Sequence, residues 1–293
     1  MGKLDGRVAV VTGAGGGLGR EEALLLAAEG AQVVVNDIKG AQNTVDDITA
    51  AGGRAVAVEG SVSDLSVGEA MVEAAVQHFG DLHAIVNNAG FIRDALLVKM
   101  TEEQFDSVLE VHLKGTFALT RAAATYWVGR AKAGEAADRS IVNTTSGAGL
   151  HGNPGQFNYS AAKAGAAMMA VTAAIELKKF GVRANAIAPV AGTGPVLATP
   201  GLGDMIAKAA EANGGFDSFD PANIAPLVGY LAGADCPFTG QVFSVQGGHV
   251  GLYQGWSIEH EVDRKGRWTV EELSAELDAW PTRIKVNRQK VAL

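Results

Sequence analysis

The chain has 293 residues, of which 47% are hydrophobic and 19% are charged, and its formal net charge is −8. An acidic balance argues against general binding to nucleic acids or anionic membranes, since both favour a basic surface. The 38 glycines follow no collagen-like repeat, and the single cysteine, Cys236, permits no internal disulfide. We expect a globular, cytoplasmic protein, because neither a secretory signal nor an uninterrupted apolar span is recognisable.

Short β-branched runs alternate along the chain with longer segments of helical period. The strand-like runs lie at 8–11, 33–35, 55–58, 84–86, 141–142, 183–187 and 241–245. The helical segments lie at 18–29, 66–79, 101–130 and 159–180. Continuous apolar strands that are each followed by a helix predict an α/β fold. The expected architecture is a single-domain, Rossmann-type, doubly wound parallel sheet with helices on both faces.

Two segments interrupt this alternation. Residues 1–250 form the predicted dinucleotide-binding and catalytic domain, within which 190–221 is rich in glycine and proline. A connection of that length in a compact domain is typical of a functional cover, so 190–221 is predicted to be a substrate lid with one helix near 204–212.

Residues 251–293 form a predicted C-terminal extension with one amphipathic helix. A second capping box, Thr269 with Glu272, starts this helix, and apolar residues follow at helical spacing. We expect the helix to dock on the domain or on a partner subunit. The apolar positions are Val270, Leu273, Leu277 and Trp280.

A glycine-rich turn at 12–19 joins the first strand to the first helix. Glycines permit a tight turn and let the backbone approach a pyrophosphate, whose charge the helix N-terminus stabilises. Asp37, at the end of the second strand, can accept both ribose hydroxyls and would repel a 2′-phosphate, which predicts NAD rather than NADP. Two alternatives remain open. The glycine turn could serve only to pack the strand against the helix, and Asp37 could be an ordinary turn residue.

Ser146, Tyr159 and Lys163 form a second group. Tyr159 and Lys163 are four residues apart at the start of a predicted helix, so they share one face. A nearby ammonium stabilises a phenolate and lowers the pKa of the phenol, which makes tyrosine a usable proton acceptor. Ser146 follows a strand, at the sheet edge where such folds bind ligands.

Over residues 3–250 the sequence resembles the short-chain dehydrogenase/reductase family. The motifs that carry the resemblance are Thr12-Gly13-x-x-x-Gly17-Leu18-Gly19, Asn87-Asn88-Ala89-Gly90, Ser146, Tyr159-x-x-x-Lys163 and Pro189. The resemblance implies a nicotinamide cofactor, hydride transfer at a carbinol or carbonyl carbon, and a homodimer or homotetramer that pairs its long helices. The alanines on the helix after Tyr159 permit such pairing, although they could equally face their own sheet.

The resemblance also implies a role for each matched residue. Tyr159 is the acid/base, Lys163 lowers its pKa and holds the nicotinamide ribose, and Ser146 hydrogen-bonds the substrate oxygen. No metal ligand is implied. Cofactor contacts are implied for Gly13, Gly16, Gly17, Leu18, Asp37, Ser61, Val62, Asn88, Tyr159, Lys163, Gly192 and Thr193.

Two positions depart from the family pattern. His112 occupies the fourth catalytic position, where asparagine is usual, and Ser61 stands where aspartate is usual. His112 is therefore either a member of a proton relay or a structural histidine.

Several segments are similar to the (3R)-hydroxyacyl-CoA dehydrogenase branch of the family, found in peroxisomal multifunctional enzymes type 2 and in bacterial relatives. They include Val111-His112-Leu113 and the run from Gly152 to Lys163. The resemblance implies NAD-dependent oxidation of a 3-hydroxyacyl-CoA to the ketone. The alternatives are a hydroxysteroid or another small secondary alcohol and, from a different class, a non-catalytic NAD sensor. A CoA thioester needs cationic contacts, for which Lys208 and the basic C-terminus are candidates.

Overall fold

A computed structural model describes residues 2–192, 208, 210–211 and 214–281. Thr193, most of the predicted lid with its helix near 204–212, and the basic residues after 281 lie outside the described residues.

Eight strands form one sheet in the order β3-β2-β1-β4-β5-β6-β7-β8. The first seven strands are parallel, as predicted, and β8 pairs antiparallel with β7. The strands are β1 Val8–Thr12, β2 Gln32–Asp37, β3 Arg54–Glu59, β4 Ala84–Asn87, β5 Arg139–Thr144, β6 Val182–Pro189, β7 Val242–Gln246 and β8 His249–Leu252.

The expectation that β7 ends the sheet was wrong, because β8 follows it through a short glycine turn. Three of the four β8 residues are exposed, so the strand lacks the buried apolar run that marked the others. It lies across the predicted domain boundary at residue 250.

Nine α-helices lie wholly in the part of the chain that the structure describes, and residues 208 and 210–211 are also helical. The nine helices are α1 Gly17–Ala28, α2 Ala41–Ala50, α3 Leu65–Phe79, α4 Glu102–Leu109, α5 Gly115–Lys132, α6 Gly147–His151, α7 Phe157–Leu177, α8 Ala225–Ala232 and α9 Val270–Leu277. The capping box of Thr101 and Gln104 starts α4 as predicted. A π-helical turn, Glu110–Lys114, separates α4 from α5 and divides the helix predicted over 101–130.

The helices cover both faces of the sheet, as the continuous apolar strands predicted. Side chains of α1, α2 and α8 form one core cluster with one face of the central strands, and those of α3, α5 and α7 pack against the other face. The alternating residues Val10 and Val11 show the two sides, because each is fully buried in a different cluster.

The alanines of α7 face their own sheet, which is the second of the two possibilities left open by the sequence. Ala162, Ala166 and Ala170 are buried, and α7 packs on β5 and β6. The opposite side of α7 is left for other contacts.

Beyond β8, the described part of the C-terminal extension has no buried residue. α9 forms where the capping box predicted it, but none of its residues is buried, and Val270 is 86% exposed. The expected docking of α9 on its own domain is therefore wrong. Within the described ranges, no helix is long and apolar enough to cross a bilayer.

Candidate active site

The glycine turn between β1 and α1 lies at the carboxyl edge of the sheet. Gly13 has a φ of 64°, and a Cβ there would lie 2.7 Å from the Cα of Ala89, so only glycine fits. A Cβ on Gly16 would meet no described atom within 4 Å. The turn is thus packed on one side and open on the other, which suits the close approach of a diphosphate to the N-terminus of α1.

Asp37 connects the end of β2 to this turn. Its Oδ2 accepts a hydrogen bond from the Gly15 amide at 3.0 Å, and its Oδ1 accepts one from the Ile38 amide at 2.7 Å. Oδ1 also accepts a hydrogen bond from the Lys39 amide at 3.4 Å, so Oδ2, which has two lone pairs and one of these bonds, retains capacity for a ribose hydroxyl. The residues of the turn and of β2 fit an adenosine dinucleotide.

Asn88 fixes the turn from the neighbouring strand. Its Nδ2 donates to the Thr12 carbonyl at 3.1 Å, and its backbone amide donates to Thr12 Oγ1 at 3.0 Å. Ser61 and Val62 follow β3, where the Ser61 hydroxyl hydrogen-bonds that of Ser63 at 2.9 Å and Val62 is buried. These predicted cofactor contacts therefore lie at the same sheet edge as the glycine turn.

Ser146, Tyr159 and Lys163 meet after β5. Ser146 is the N-cap of α6 and accepts from the Ala148 amide at 3.2 Å, while Tyr159 lies in the first turn of α7. Burial raises the pKa of the Tyr159 phenol, and a hydrogen bond from Ser146 opposes that rise. The Lys163 Nζ lies 5.6 Å from the centre of the Tyr159 ring.

Lys163 is buried among few hydrogen-bond acceptors. Its Nζ donates to the Thr144 carbonyl at 2.7 Å. Burial lowers the pKa of Lys163 to about 7, because an ammonium ion is poorly stabilised away from water. Two of its three donor positions remain for other partners.

His112 lies within the π-helical turn, against Tyr159. The two rings meet edge to face with centres 5.2 Å apart, and His112 Nε2 is 2.8 Å from the Phe91 carbonyl oxygen. Burial and then the nearby Lys163 lower the pKa of His112 to about 3, so the ring is neutral near pH 7. With a proton on Nε2, the ring donates to the Phe91 carbonyl; without it, Nε2 accepts from the Phe91 amide at 3.2 Å. Nδ1 has no protein partner in either case.

The segment after β4 exposes apolar side chains near the start of α7. Leu96, Leu97 and Val98 are 59%, 60% and 90% exposed, on the loop whose Ala95 pairs with Gln156 just before α7. Gly192, another predicted cofactor contact, follows β6, and its amide donates to the Phe219 carbonyl at 2.7 Å. Exposed apolar side chains beside polar catalytic groups suit a substrate with both characters.

Glu22 is a buried residue that the sequence motifs did not indicate. This α1 residue is fully buried, and neither carboxylate oxygen has a hydrogen-bond partner. Burial raises the pKa of Glu22 to about 8, while Lys163 opposes the rise. A usable signal was present, because Glu22 shares the i, i+4 face of Leu18 and Leu26 and therefore points toward the core.

Comparisons with known proteins agree with this geometry. The short chain dehydrogenase family model matches residues 7–205. The hydroxyacyl-CoA dehydrogenase ChsB1 of Mycobacterium tuberculosis is 43% identical over 286 residues, which cover 94% of this chain and 88% of that protein. The peroxisomal multifunctional enzyme type 2 of Drosophila melanogaster is 41% identical over 277 residues, which cover 90% of this chain and 42% of that protein.

A solved structure of a short chain dehydrogenase has the same fold. A short chain dehydrogenase from Mycobacterium avium superimposes with a TM-score of 0.84 at 45% sequence identity, covering 94% of this chain and 95% of that one. The matched fold, the glycine turn and the grouping of Ser146, Tyr159 and Lys163 lead to one conclusion. The chain belongs to the short-chain dehydrogenase family and is an oxidoreductase.

Proposed function

We propose that this protein is an NAD-dependent dehydrogenase that oxidises the hydroxyl of a 3-hydroxyacyl-CoA to a ketone. The observation that carries the proposal is the meeting of Ser146, Tyr159 and Lys163 beside the open glycine turn. The similarity to a hydroxyacyl-CoA dehydrogenase supports the substrate class.

Tyr159 takes the proton in this proposal. The Tyr159 phenolate accepts the hydroxyl proton of the substrate, and the Ser146 hydroxyl donates a hydrogen bond to the same oxygen as its negative charge develops. The Lys163 ammonium favours the phenolate against the effect of burial. When bound, the nicotinamide supplies the acceptor for the hydride that leaves the carbinol carbon. The C–H and O–H bonds are broken, and a ketone and protonated Tyr159 remain.

Asp37 supports NAD over NADP. Family members use one or the other nicotinamide dinucleotide. A carboxylate at the end of β2 suits the two ribose hydroxyls and repels a 2′-phosphate. The remaining cofactor contacts that we propose are with the backbone of Gly13, Gly16, Gly17, Leu18, Gly192 and Thr193, and with Ser61, Val62 and Asn88.

The exposed segment of Leu96, Leu97 and Val98 supports an acyl substrate, since it offers apolar surface near the start of α7. A hydroxysteroid could use the same surface, so it remains the second candidate. The two differ in charge, because only a CoA thioester carries phosphates that require cationic contacts. Lys208 is an exposed candidate for such a contact.

We also propose that two copies pair through α5 and α7. These helices line an apolar surface groove of about 910 Å³, in which Phe117 and Met168 are each 46% exposed. An exposed apolar surface of this kind is typical of an interface, and a two-fold arrangement would cover it on both copies.

The proposal is tested by initial rates of NADH formation with 3-hydroxyacyl-CoA thioesters and hydroxysteroids assayed side by side. NAD and NADP are compared with each substrate. We expect the CoA thioesters with NAD to give the highest kcat/KM. A clear preference for steroids would overturn the substrate assignment, and no NADH formation with any secondary alcohol would favour a non-catalytic sensor.

A further inference from the structure

Asn158 is a buried polar residue at the start of α7, directly before Tyr159. Its exposed fraction is 0%, whereas the preceding Phe157 is 52% exposed. The Tyr159 amide lies in the first turn of the helix, where backbone amides have no acceptor within the helix. Asn158 Oδ1 supplies that acceptor at 2.7 Å, while Gln156, the N-cap residue, makes no side-chain capping bond. The backbone of Tyr159 is therefore held by the side chain beside it.

The side-chain amide of Asn158 also joins α7 to two other parts of the chain. Its Nδ2 donates to the Gln104 carbonyl of α4 at 2.7 Å and to the Arg93 carbonyl at 3.0 Å. Arg93 belongs to segment 91–95, which lies between β4 and α4. An amide side chain has two donor hydrogens, and here both have a carbonyl acceptor. Asn158 therefore fastens the first turn of α7 to α4 and to segment 91–95.

Segment 91–95 connects this turn with His112, whose ring contacts Tyr159. At one end of the segment, the Phe91 carbonyl oxygen lies 2.8 Å from His112 Nε2, and the centres of the His112 and Tyr159 rings are 5.2 Å apart. The other end pairs with the residues just before α7. Asn158 bonds the segment between these two ends. The residue that contacts the Tyr159 ring and the residue that holds its backbone therefore belong to one hydrogen-bonded unit.

The side-chain contact next to Asn158 is exposed to solvent, by contrast. Gln156 Nε2 lies 3.2 Å from each oxygen of the Asp94 carboxylate, at the surface. An exposed polar pair contributes little to holding a structure, because water competes for both partners. The buried amide of Asn158 is thus the stronger constraint on this turn. Such a constraint matters for a proton acceptor, since a displacement of about 1 Å can lower a rate about a hundredfold.

We propose that Asn158 is a positioning residue that holds the Tyr159 phenol in reach of the substrate hydroxyl by fastening the first turn of α7 to α4 and to segment 91–95. This role rests on the proposed function, since it concerns the alignment of that proton transfer. Asn158 acts through Tyr159, and no covalent bond or proton changes at its amide. The segment leads directly into residues 96–98, so the same contacts fix the apolar surface proposed for the acyl chain relative to Tyr159.

Asn158→Leu tests this role, with Asn185→Leu as the matched control. Leucine has the branched shape of asparagine but forms none of its side-chain hydrogen bonds. Asn185, on β6, is likewise 0% exposed, donates to the Phe238 carbonyl at 2.8 Å and accepts from the Gln241 amide at 3.1 Å. Both variants lose a buried amide and should have a lower thermal midpoint. In Asn158→Leu alone, kcat for alcohol oxidation should fall by about tenfold or more.

The change in kcat is compared with the affinity for NADH, measured by fluorescence titration. Asn158→Leu should keep that affinity within a few-fold of the native value, because the glycine turn is not altered. Asn185→Leu should leave both kcat and the affinity unchanged. A kcat within about twofold of the native value in Asn158→Leu would overturn the role, and so would an equal loss of kcat in the control. An equal loss of NADH affinity would indicate a general distortion and would also overturn it.

Asn158→Asp is a second, milder variant. Its carboxyl group retains an acceptor for the Tyr159 amide, and burial favours the protonated form, which donates to one of the two carbonyls. Its kcat for ketone reduction, measured below neutral pH, should lie between those of the native protein and Asn158→Leu. If Asn158→Leu does not fold, Asn158→Asp is compared with the control in its place. Failure of both Asn158 variants to fold, while Asn185→Leu folds, would make Asn158 a structural residue and overturn the proposal.

The ring signals of tyrosine give a measurement that needs neither substrate nor cofactor. The chain has four tyrosines, so a nuclear magnetic resonance spectrum of ζ-carbon-labelled tyrosine is simple, and Tyr159→Phe assigns the Tyr159 signal. That signal should shift or broaden in Asn158→Leu, because the ring then leaves its fixed contact with His112. It should stay in place in Asn185→Leu. An unmoved Tyr159 signal in Asn158→Leu would overturn the role.

The spectrum also separates the two proposals. If the native protein oxidises no hydroxyacyl-CoA but the Tyr159 signal moves in Asn158→Leu alone, the proposed function fails and the hold of Asn158 on Tyr159 stands. If turnover is present but neither kcat nor the signal changes in Asn158→Leu, the role of Asn158 fails alone.

Discussion

The two edges of the sheet differ in whether their buried charged side chains have a partner of opposite charge. At the amino edge, Arg139 makes two hydrogen bonds to Asp81, at 2.9 and 3.1 Å. Arg183 makes two to Asp138, both at 2.9 Å, and Arg7 adds a third at 3.1 Å. Each arginine there has a carboxylate partner. Paired geometry of this kind repays much of the cost of removing the charges from water.

At the carboxyl edge, the buried titratable groups lack such partners. Glu22 and His112 each retain an unpartnered polar atom, and Lys163 has a carbonyl acceptor instead of a carboxylate. The pKa values of all three groups are displaced, and burial is the largest cause in each case. Buried charges at the amino edge are therefore paired with carboxylates, whereas those at the carboxyl edge, where chemistry is proposed, are not. Displaced pKa values occur at both edges, because burial also lowers the pKa of His83 beside Asp81 to about 4.

Among substitutions at the carboxyl edge, Tyr159→Phe should lower the catalytic rate most. Loss of the phenol oxygen removes the proton acceptor, so kcat should fall by about a thousandfold or more. The affinity for NADH, measured by fluorescence titration, should stay within a few-fold because the glycine turn is untouched. Wild-type turnover in this variant would show that another group takes the proton.

Among substitutions at the amino edge, Asp81→Asn should lower the stability of the fold most, without changing the chemistry. Arg139 is 3% exposed in its side chain, so removing its partner leaves a buried charge unpaired. We expect a loss of about 3–5 kcal/mol in the free energy of unfolding, measured by urea denaturation.

The matched control for this loss is Glu69→Gln, which breaks the exposed pair with Arg121, 3.5 Å apart. A surface pair contributes about 1 kcal/mol or less. Equal losses in the two variants would contradict the distinction between the buried amino-edge pairs and ordinary surface pairs. The activity per folded molecule should be unchanged in both.

His112→Asn should give a smaller, pH-dependent effect. The pKa of His112 is lowered to about 3 in the folded protein, so between pH 6.5 and 3 the unfolded chain binds a proton that the folded chain does not. Stability therefore falls as the pH falls through this window. At pH 5 the native histidine should lower the free energy of unfolding by about 2 kcal/mol relative to its contribution at pH 7.

This pH dependence is measured by urea unfolding at several pH values. His112→Asn should lose less stability on acidification than the native protein does. His78→Asn, an exposed substitution on α3, is the control and should follow the native protein. A steeper acid loss in His112→Asn would contradict a neutral buried imidazole.

The sequence predicted what depends on local pattern. The glycine turn, the capping box at Thr101 and the spacing of Tyr159 to Lys163 each depend on residues that are close in the chain, and the structure contains all three. The exposed strand β8 and the π-helical turn at His112 were missed, because neither has a distinctive apolar period. Glu22 was missed because its burial without a hydrogen-bond partner is visible only in the assembled core.

In the proposed mechanism, Tyr159 both takes and returns the proton at the carboxyl edge. The pH dependence of kcat/KM for alcohol oxidation and for ketone reduction in the native protein tests this role. We predict that oxidation rises and reduction falls with pH through the same pKa, because one needs the phenolate and the other the phenol. Two profiles that change in the same direction, or about unrelated pKa values, would contradict the account.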